Sequence, residues 1–140
     1  MKTLPNAGSV PLGDDKEKIY KTIQERQLCS IANNTKWNRL IDTIREWDGW
    51  HPSYRFKTVG NYISGWDVEW YYHLPFPFLC VEWFDIGLYE EVYIGQLVKN
   101  KIIDHTKEIT DLLDLCKLEY EVFDDIVRVW GYLPKTYDML

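Results

Sequence analysis

Trp66 to Ile86 reads W-D-V-E-W-Y-Y-H-L-P-F-P-F-L-C-V-E-W-F-D-I. Taken with a period of two, Trp66, Val68, Trp70 and Tyr72 fall on one face of a strand, and Asp67, Glu69, Tyr71 and His73 on the other. Leu74-Pro75-Phe76-Pro77 interrupts the alternation, because proline cannot donate to a ladder. A second run then sets Leu79, Val81 and Trp83 against Cys80, Glu82, Phe84 and Ile86. Folded back as a hairpin, the two runs bring Trp70 opposite Val81 and Val68 opposite Trp83. Such aromatic to β-branched pairs stabilise a sheet by roughly 0.2–1 kcal/mol each. The face carrying Trp66, Trp70 and Trp83 is the expected core.

Outward from this stretch, Tyr54–Val59 alternates again and reads as a strand, with Arg55 and Lys57 on its polar side. Before it, Trp37, Leu40, Ile41 and Ile44 recur at helical spacing behind Thr35, a natural N-cap, so a helix should lie on the tryptophan face. Trp47, Trp50 and Pro52 end that helix, and the two tryptophans read as packing beside the sheet. An earlier helix, capped by Asp14 or Asp15, runs to about Ser30. Residues 1–13, rich in Pro, Gly, Ser and Asn, form a mobile arm ahead of one domain over 14–140. On the other side, Val92-Tyr93-Ile94 gives a short strand within a stretch, 87–103, of no clear pattern. Ile109, Leu112, Leu113 and Cys116 make the inner stripe of a third helix, and Ile126–Tyr132 reads as a closing strand. The order α-α-β-β-β-(β)-α-β indicates an α+β fold, an antiparallel sheet of four or five strands with helices packed on it.

A chain of 140 residues with 46% hydrophobic and 16% aromatic residues buries a core without staples and is not intrinsically disordered. Cys29, Cys80 and Cys116 have no metal-ligand spacing and read as reduced packing residues of a cytoplasmic protein. No run reaches the ~18 apolar residues of a membrane span, and the first residues have no apolar core of a signal peptide. The net charge of −6 is uneven: residues 1–60 carry 10 basic and 7 acidic groups, residues 61–140 carry 6 and 15. That acidic second half disfavours nucleic acid and favours a basic protein partner.

Asn34-Thr35-Lys36-Trp37, Val81-Glu82-Trp83, Ile103-Asp104-His105-Thr106 and Ile126-x-Arg128-Val129-Trp130-Gly131-Tyr132 together resemble a bacterial family of small domains of unknown function, over roughly residues 30–134. The resemblance implies a bacterial, cytoplasmic protein and carries over no catalytic residues. In size and acidity the chain is also similar to immunity proteins that neutralise bacterial toxins.

Two places have the residue types for function. In the hairpin register Glu69 lies opposite Glu82, with His73 and Asp67 nearby. Like charges across a ladder destabilise it, so the pair requires a cation. Either Glu69, Glu82 and His73 form a metal or substrate site with one carboxyl as general acid, or Arg55 and Lys57 neutralise the pair structurally, the preferred reading. A Cys80–His73 pair on that face is a weaker signal. His105, just before the third helix, either meets an anion at the helix N-terminus or serves the loop's own hydrogen bonding, which is preferred. The second place is an acidic surface: Glu108, Asp111 and Asp114 on the outer side of the third helix, extended by Asp124 and Asp125 in the turn before the last strand. There is no glycine-rich phosphate loop, zinc spacing or nucleophile elbow, and no cofactor or metal is expected. The expected function is therefore non-enzymatic binding of a basic protein, of the immunity or antitoxin type. The alternative is a small enzyme or ligand-binding domain using Glu69, Glu82 and His73.

Overall fold

The computed structural model describes residues 3–11 and 16–140 of the chain. Its centre is β3 (Val81–Gly87), which pairs with β2 (Tyr54–Thr58) on one side and β7 (Ile126–Trp130) on the other. β6 (Tyr120–Phe123) adds to β7, so the antiparallel sheet runs β2-β3-β7-β6. Helix α1 (Lys16–Glu25), strand β1 (Cys29–Ser30) and helix α2 (Asn34–Arg45) precede it. Strands β4 (Tyr89–Val92) and β5 (Lys101–Asp104) pair only with each other, helix α3 (Thr106–Cys116) follows, and β8 (Tyr132–Leu133) returns to β1. This is the expected α+β fold with a four-stranded antiparallel sheet.

One face of that sheet is the apolar core. Phe84 and Ile86 lie beside Tyr54, Phe56, Val127 and Val129 in register. Against them pack Trp37, Leu40, Ile41 and Ile44 of α2 and Ile109, Leu112, Leu113 and Cys116 of α3, all buried as their spacing requires. Each such side chain contributes roughly 1.5–3 kcal/mol by leaving water. Asn33, not Thr35, caps α2, its side chain accepting from the Lys36 amide. Within the segment expected to be an arm, Ala7 is buried, its amide donating to Asn38 Oδ1 and its carbonyl accepting from Phe78. Asp14 and Asp15 lie outside the described residues; α1 ends at Glu25, short of Ser30, and buries none of its residues.

The central hairpin is where the structure departs most from the sequence pattern. Asp67 makes a single bridge to Tyr54, and residues 68–77 belong to no strand. Their backbone is served by side chains instead. Asp67 accepts from the amides of Val68 and Glu69, Glu69 accepts from those of Tyr71 and Tyr72, and Arg45 donates to the carbonyls of Trp70 and Tyr71. Side chains that bind nearby backbone compete with a ladder, and here they win. Val81 stays in the core as expected, but past the register shift at Glu82 the faces of β3 are the reverse of those expected: Phe84 and Ile86 meet the helices, and Trp83 points to the other side. Trp70 and Trp83 are both buried, but on opposite sides of the sheet, and Trp37 lies against Phe84, at 6.0 Å between rings, rather than Trp83. Trp66 is 47% exposed. The closing run breaks at Gly131, where a Cβ would stand 2.2 Å from the Val81 carbonyl oxygen.

Candidate functional site

The second face of the sheet is charged and covered. Arg55, Asp85, Arg128 and Glu121 are cross-strand neighbours in β2, β3, β7 and β6. Arg128 grips Asp85 with two hydrogen bonds, Nε to Oδ1 at 2.7 Å and Nη2 to Oδ2 at 2.9 Å, and lies 3.6 Å above the Trp83 ring. Arg55 Nε reaches the same carboxylate at 2.9 Å. Between Lys57 and Thr58 the ladder shifts by one residue of β3, leaving Glu82 without a partner on β2. Its buried carboxylate is held by Arg26 at 2.5 Å, Thr136 Oγ1 at 3.0 Å and Lys57 at 3.5 Å. Residues 136–139 close this face. The Thr136 carbonyl accepts from Arg128 and the Trp130 indole, the Asp138 carboxylate from Lys57 and the Trp83 indole, and the Met139 carbonyl from Arg55. Burial works against ionisation of Asp138, but Lys57 and the Trp83 N–H outweigh it and hold its pKa below the ordinary carboxylate value.

A different surface lies at the start of α3. His105 stacks on Trp50, with ring centres 4.1 Å apart and planes 11° from parallel. Its Nε2 is 2.8 Å from Glu90 of β4 and its Nδ1 3.1 Å from Glu108 of α3. Burial alone would lower the imidazole pKa; hydrogen bonds and charge from Glu90 and Glu108 reverse that and raise it above the usual histidine value. Trp47, Trp50, Asp48, Glu90, His105 and Glu108 line an open cleft of about 420 Å³. Beyond it the β4–β5 ribbon projects, with Tyr93, Ile94, Leu97, Val98 and Ile102 all more than half exposed to solvent. On α3, Asp111 pairs with Lys107 at 2.7 Å, and Asp114 accepts from Tyr120, whose phenol is pushed up to about 12 by that hydrogen bond.

Compared with known proteins, residues 19–136 match a family described as "Family of unknown function (DUF6678)". The chain belongs to this family. No curated protein and no solved structure matches it. The segments that carried the resemblance map onto this DUF6678 architecture in an orderly way. Val81-Glu82-Trp83 and Ile126–Tyr132 build the charged face, Ile103–Thr106 supplies the His105 hub, and Asn34–Trp37 starts α2.

The residues singled out from the sequence separate into distinct places in this DUF6678 domain. Glu69 and Glu82 are not opposite each other. Glu82 is in the buried network, whereas Glu69, with His73 and Asp67, is in the irregular segment, where His73 lies 2.9 Å from Asp67 and 3.7 Å from Glu69. Lys57 does reach Glu82, but Arg55 serves Asp85, and Arg26 from beyond α1 completes the neutralisation. Cys80 Sγ contacts the Pro75 carbonyl. Glu108, Asp111 and Asp114 lie along α3, and of the three Glu108 lines the Trp47–Trp50 cleft. Asp124 and Asp125 line another cleft, with Arg55 and Trp66. Asp85, Arg128, Arg26 and Glu90 have no role assigned from the sequence, although Arg128 stands in the closing segment that carried the resemblance. Among the described residues no three His, Cys, Asp or Glu side chains are placed to hold a metal ion, and no helix is long and apolar enough to cross a membrane.

Proposed function

We propose that this DUF6678 protein works by binding another protein, and that the partner presents a basic surface with an apolar patch. The observation that carries the reading is the β4–β5 ribbon, which pairs only with itself and holds Tyr93, Ile94, Leu97 and Val98 out in solvent. Contiguous exposed apolar side chains rimmed by polar ones mark interaction surfaces. Carboxylates stand at its base: Glu90 of β4, with Asp48 and Glu108 in the cleft that Trp47, Trp50 and His105 also line, and Asp111 follows on α3. In such an interface the apolar tip supplies affinity, while the acidic flank steers encounter and selects a basic partner. An immunity-type role, with a basic toxin as the partner, is the specific form we favour, acting in a reducing cytoplasm; Cys29, Cys80 and Cys116 form no disulfide among the described residues.

The test is capture from the native host with wild type, a Tyr93→Ser/Leu97→Asp variant and an Asp111→Lys/Asp114→Lys variant. The ribbon variant should lose the partner. The charge variant should associate more slowly and with a flatter dependence on ionic strength, while melting like wild type, because exposed charges contribute little to stability. Capture that is indifferent to both variants would remove this surface from the interface. Absence of any protein partner, with a thermal shift from a metabolite, would favour the ligand-binding alternative.

A further inference from the structure

A second cleft, of about 690 Å³, opens on the other side of the sheet from the helices and takes no part in the surface just described. Its size falls within the range of small-molecule sites, roughly 300–1,000 Å³. Aromatic side chains, Trp66, Tyr89 and Phe123, form part of its lining, and its polar groups are divided by sign. Arg55 marks the cationic side. It stands 4.9 Å from the Trp66 ring and 5.8 Å from the Trp83 ring, donating through Nε to Asp85 and through Nη2 to the Met139 carbonyl. A guanidinium has further N–H donors beyond these, and no acceptor among the described residues takes them. The Asp85 carboxylate that Arg55 uses is shared with Arg128, which also stands 3.7 Å from Asp138. Asp124 and Asp125, in the exposed turn between β6 and β7, mark the acidic side. They have no cationic partner among the described residues, and with burial and Asp104 they push the Tyr89 phenol pKa upward. Ser53 lies in the lining beneath Gly87, where any side chain would strike its hydroxyl, 2.5 Å away.

We propose that this cleft binds a zwitterionic small molecule of the amino-acid or dipeptide type with an apolar side group. The carboxylate is taken by Arg55, the ammonium by the Asp124–Asp125 turn, and the side group by Trp66 and Phe123. A guanidinium with uncommitted donors on one side, carboxylates without a cationic partner on the other and aromatic surface in the lining match that ligand in sign and in character. A simple anion would be repelled at one end of the cleft and a simple cation at the other.

The experiment is calorimetric titration of the whole protein with L-phenylalanine and with glycyl-phenylalanine. Phenylalaninamide, which lacks the carboxylate, and N-acetylphenylalanine, which lacks the ammonium, serve as the blocked analogues. No partner protein is needed, so the result stands apart from the binding role proposed above. Saturable binding of at least one zwitterion is expected, weakened about tenfold or more when either charge is blocked, as for a lost charge-assisted hydrogen bond. Because Arg55→Gln also disturbs Asp85 and can unfold the domain, the exposed Asp124→Asn/Asp125→Asn variant is measured beside it. It should fold like wild type and bind the zwitterion about tenfold more weakly, while N-acetylphenylalanine, an anion, should bind no more weakly than before. No binding of either zwitterion at millimolar concentration, or equal binding of the blocked analogues, overturns the proposal. So does unchanged zwitterion affinity in the aspartate variant.

Discussion

Arg128 has no exposed surface, and its guanidinium exchanges water for the Asp85 carboxylate, the Thr136 carbonyl and the face of Trp83. Desolvating such a group costs several kcal/mol, and only good geometry with full hydrogen bonding offsets it. Removing one partner is therefore worse than removing both. Asp85→Ala, which leaves Arg128 buried without its two-pronged carboxylate partner and with only Asp138 at 3.7 Å, should cost about 3–5 kcal/mol in urea unfolding. An Asp85→Leu/Arg128→Met double variant should lose clearly less than the sum of its single changes, and simple additivity would show the pair to be uncoupled. Trp83→Ala, which removes the ring beneath Arg128, should cost about 3–5 kcal/mol; wild-type-like melting would place Trp83 outside the folded interior. That Trp83 and Trp70 are buried was legible from their size and their apolar neighbours. The network was not. Arg128 between Val127 and Val129 looks like a residue turned to solvent, and only the register that sets it beside Asp85 reveals its partner. Register follows from pairing across the sheet, which a one-residue slip rewrites.

At the scale of elements, the helices were the readable part, because a period near four leaves one buried stripe whatever lies opposite. Segment 66–73 was misread for a local reason. Its alternation is that of a strand, but Asp67 and Glu69 bind the amides just ahead of them and so replace the ladder. The β4–β5 ribbon gave no periodic signal, since its apolar residues are exposed and need no common face. What ties it down is His105, which joins Glu90 on the ribbon to Glu108 on α3 over the Trp50 ring; Asp48 is the other acidic side chain lining that cleft, and Asp104 also faces the imidazole. With its folded pKa above the unfolded value of about 6.5, the imidazolium's contribution is complete below that pH and is lost as pH rises through the folded value. Corrected for the intrinsic effect of base, amide exchange in residues 89–92 and 101–104 should speed up between pH 6 and pH 9, while exchange in β3 does not. His105→Asn should exchange fast at both pH values; a pH-independent wild-type ribbon would show that the charged hub does not hold it.

For the molecule as a whole, the sheet is covered on both sides by different means: two helices seal the apolar face, and residues 136–139 seal the charged one. The second cover packs the Tyr137 ring on Trp130 and Phe123 and otherwise depends on specific acceptors, above all the Asp138 carboxylate between Lys57 and the Trp83 indole. Because burial of Asp138 is outweighed by those two donors, its folded pKa lies below the unfolded value. Its contribution is therefore present in full above about pH 3.9 and lost as pH falls through the depressed folded value. Glu82 and Asp85 also lie beneath the cover, so the role of Asp138 has to be isolated by comparison. Solvent exchange of the Trp83 indole proton, followed by NMR, reports directly on the cover. In wild type it should stay slow from neutral pH down to below the ordinary aspartate range and then accelerate in one acid step. In Asp138→Asn it should already be fast at neutral pH, with α2 and α3 amides still protected, since the apolar face does not depend on the cover. Equal indole exchange in the two proteins across the whole pH range would mean that the charged face stays closed without Asp138, and that the Arg128 and Arg55 bonds to the Thr136 and Met139 carbonyls suffice.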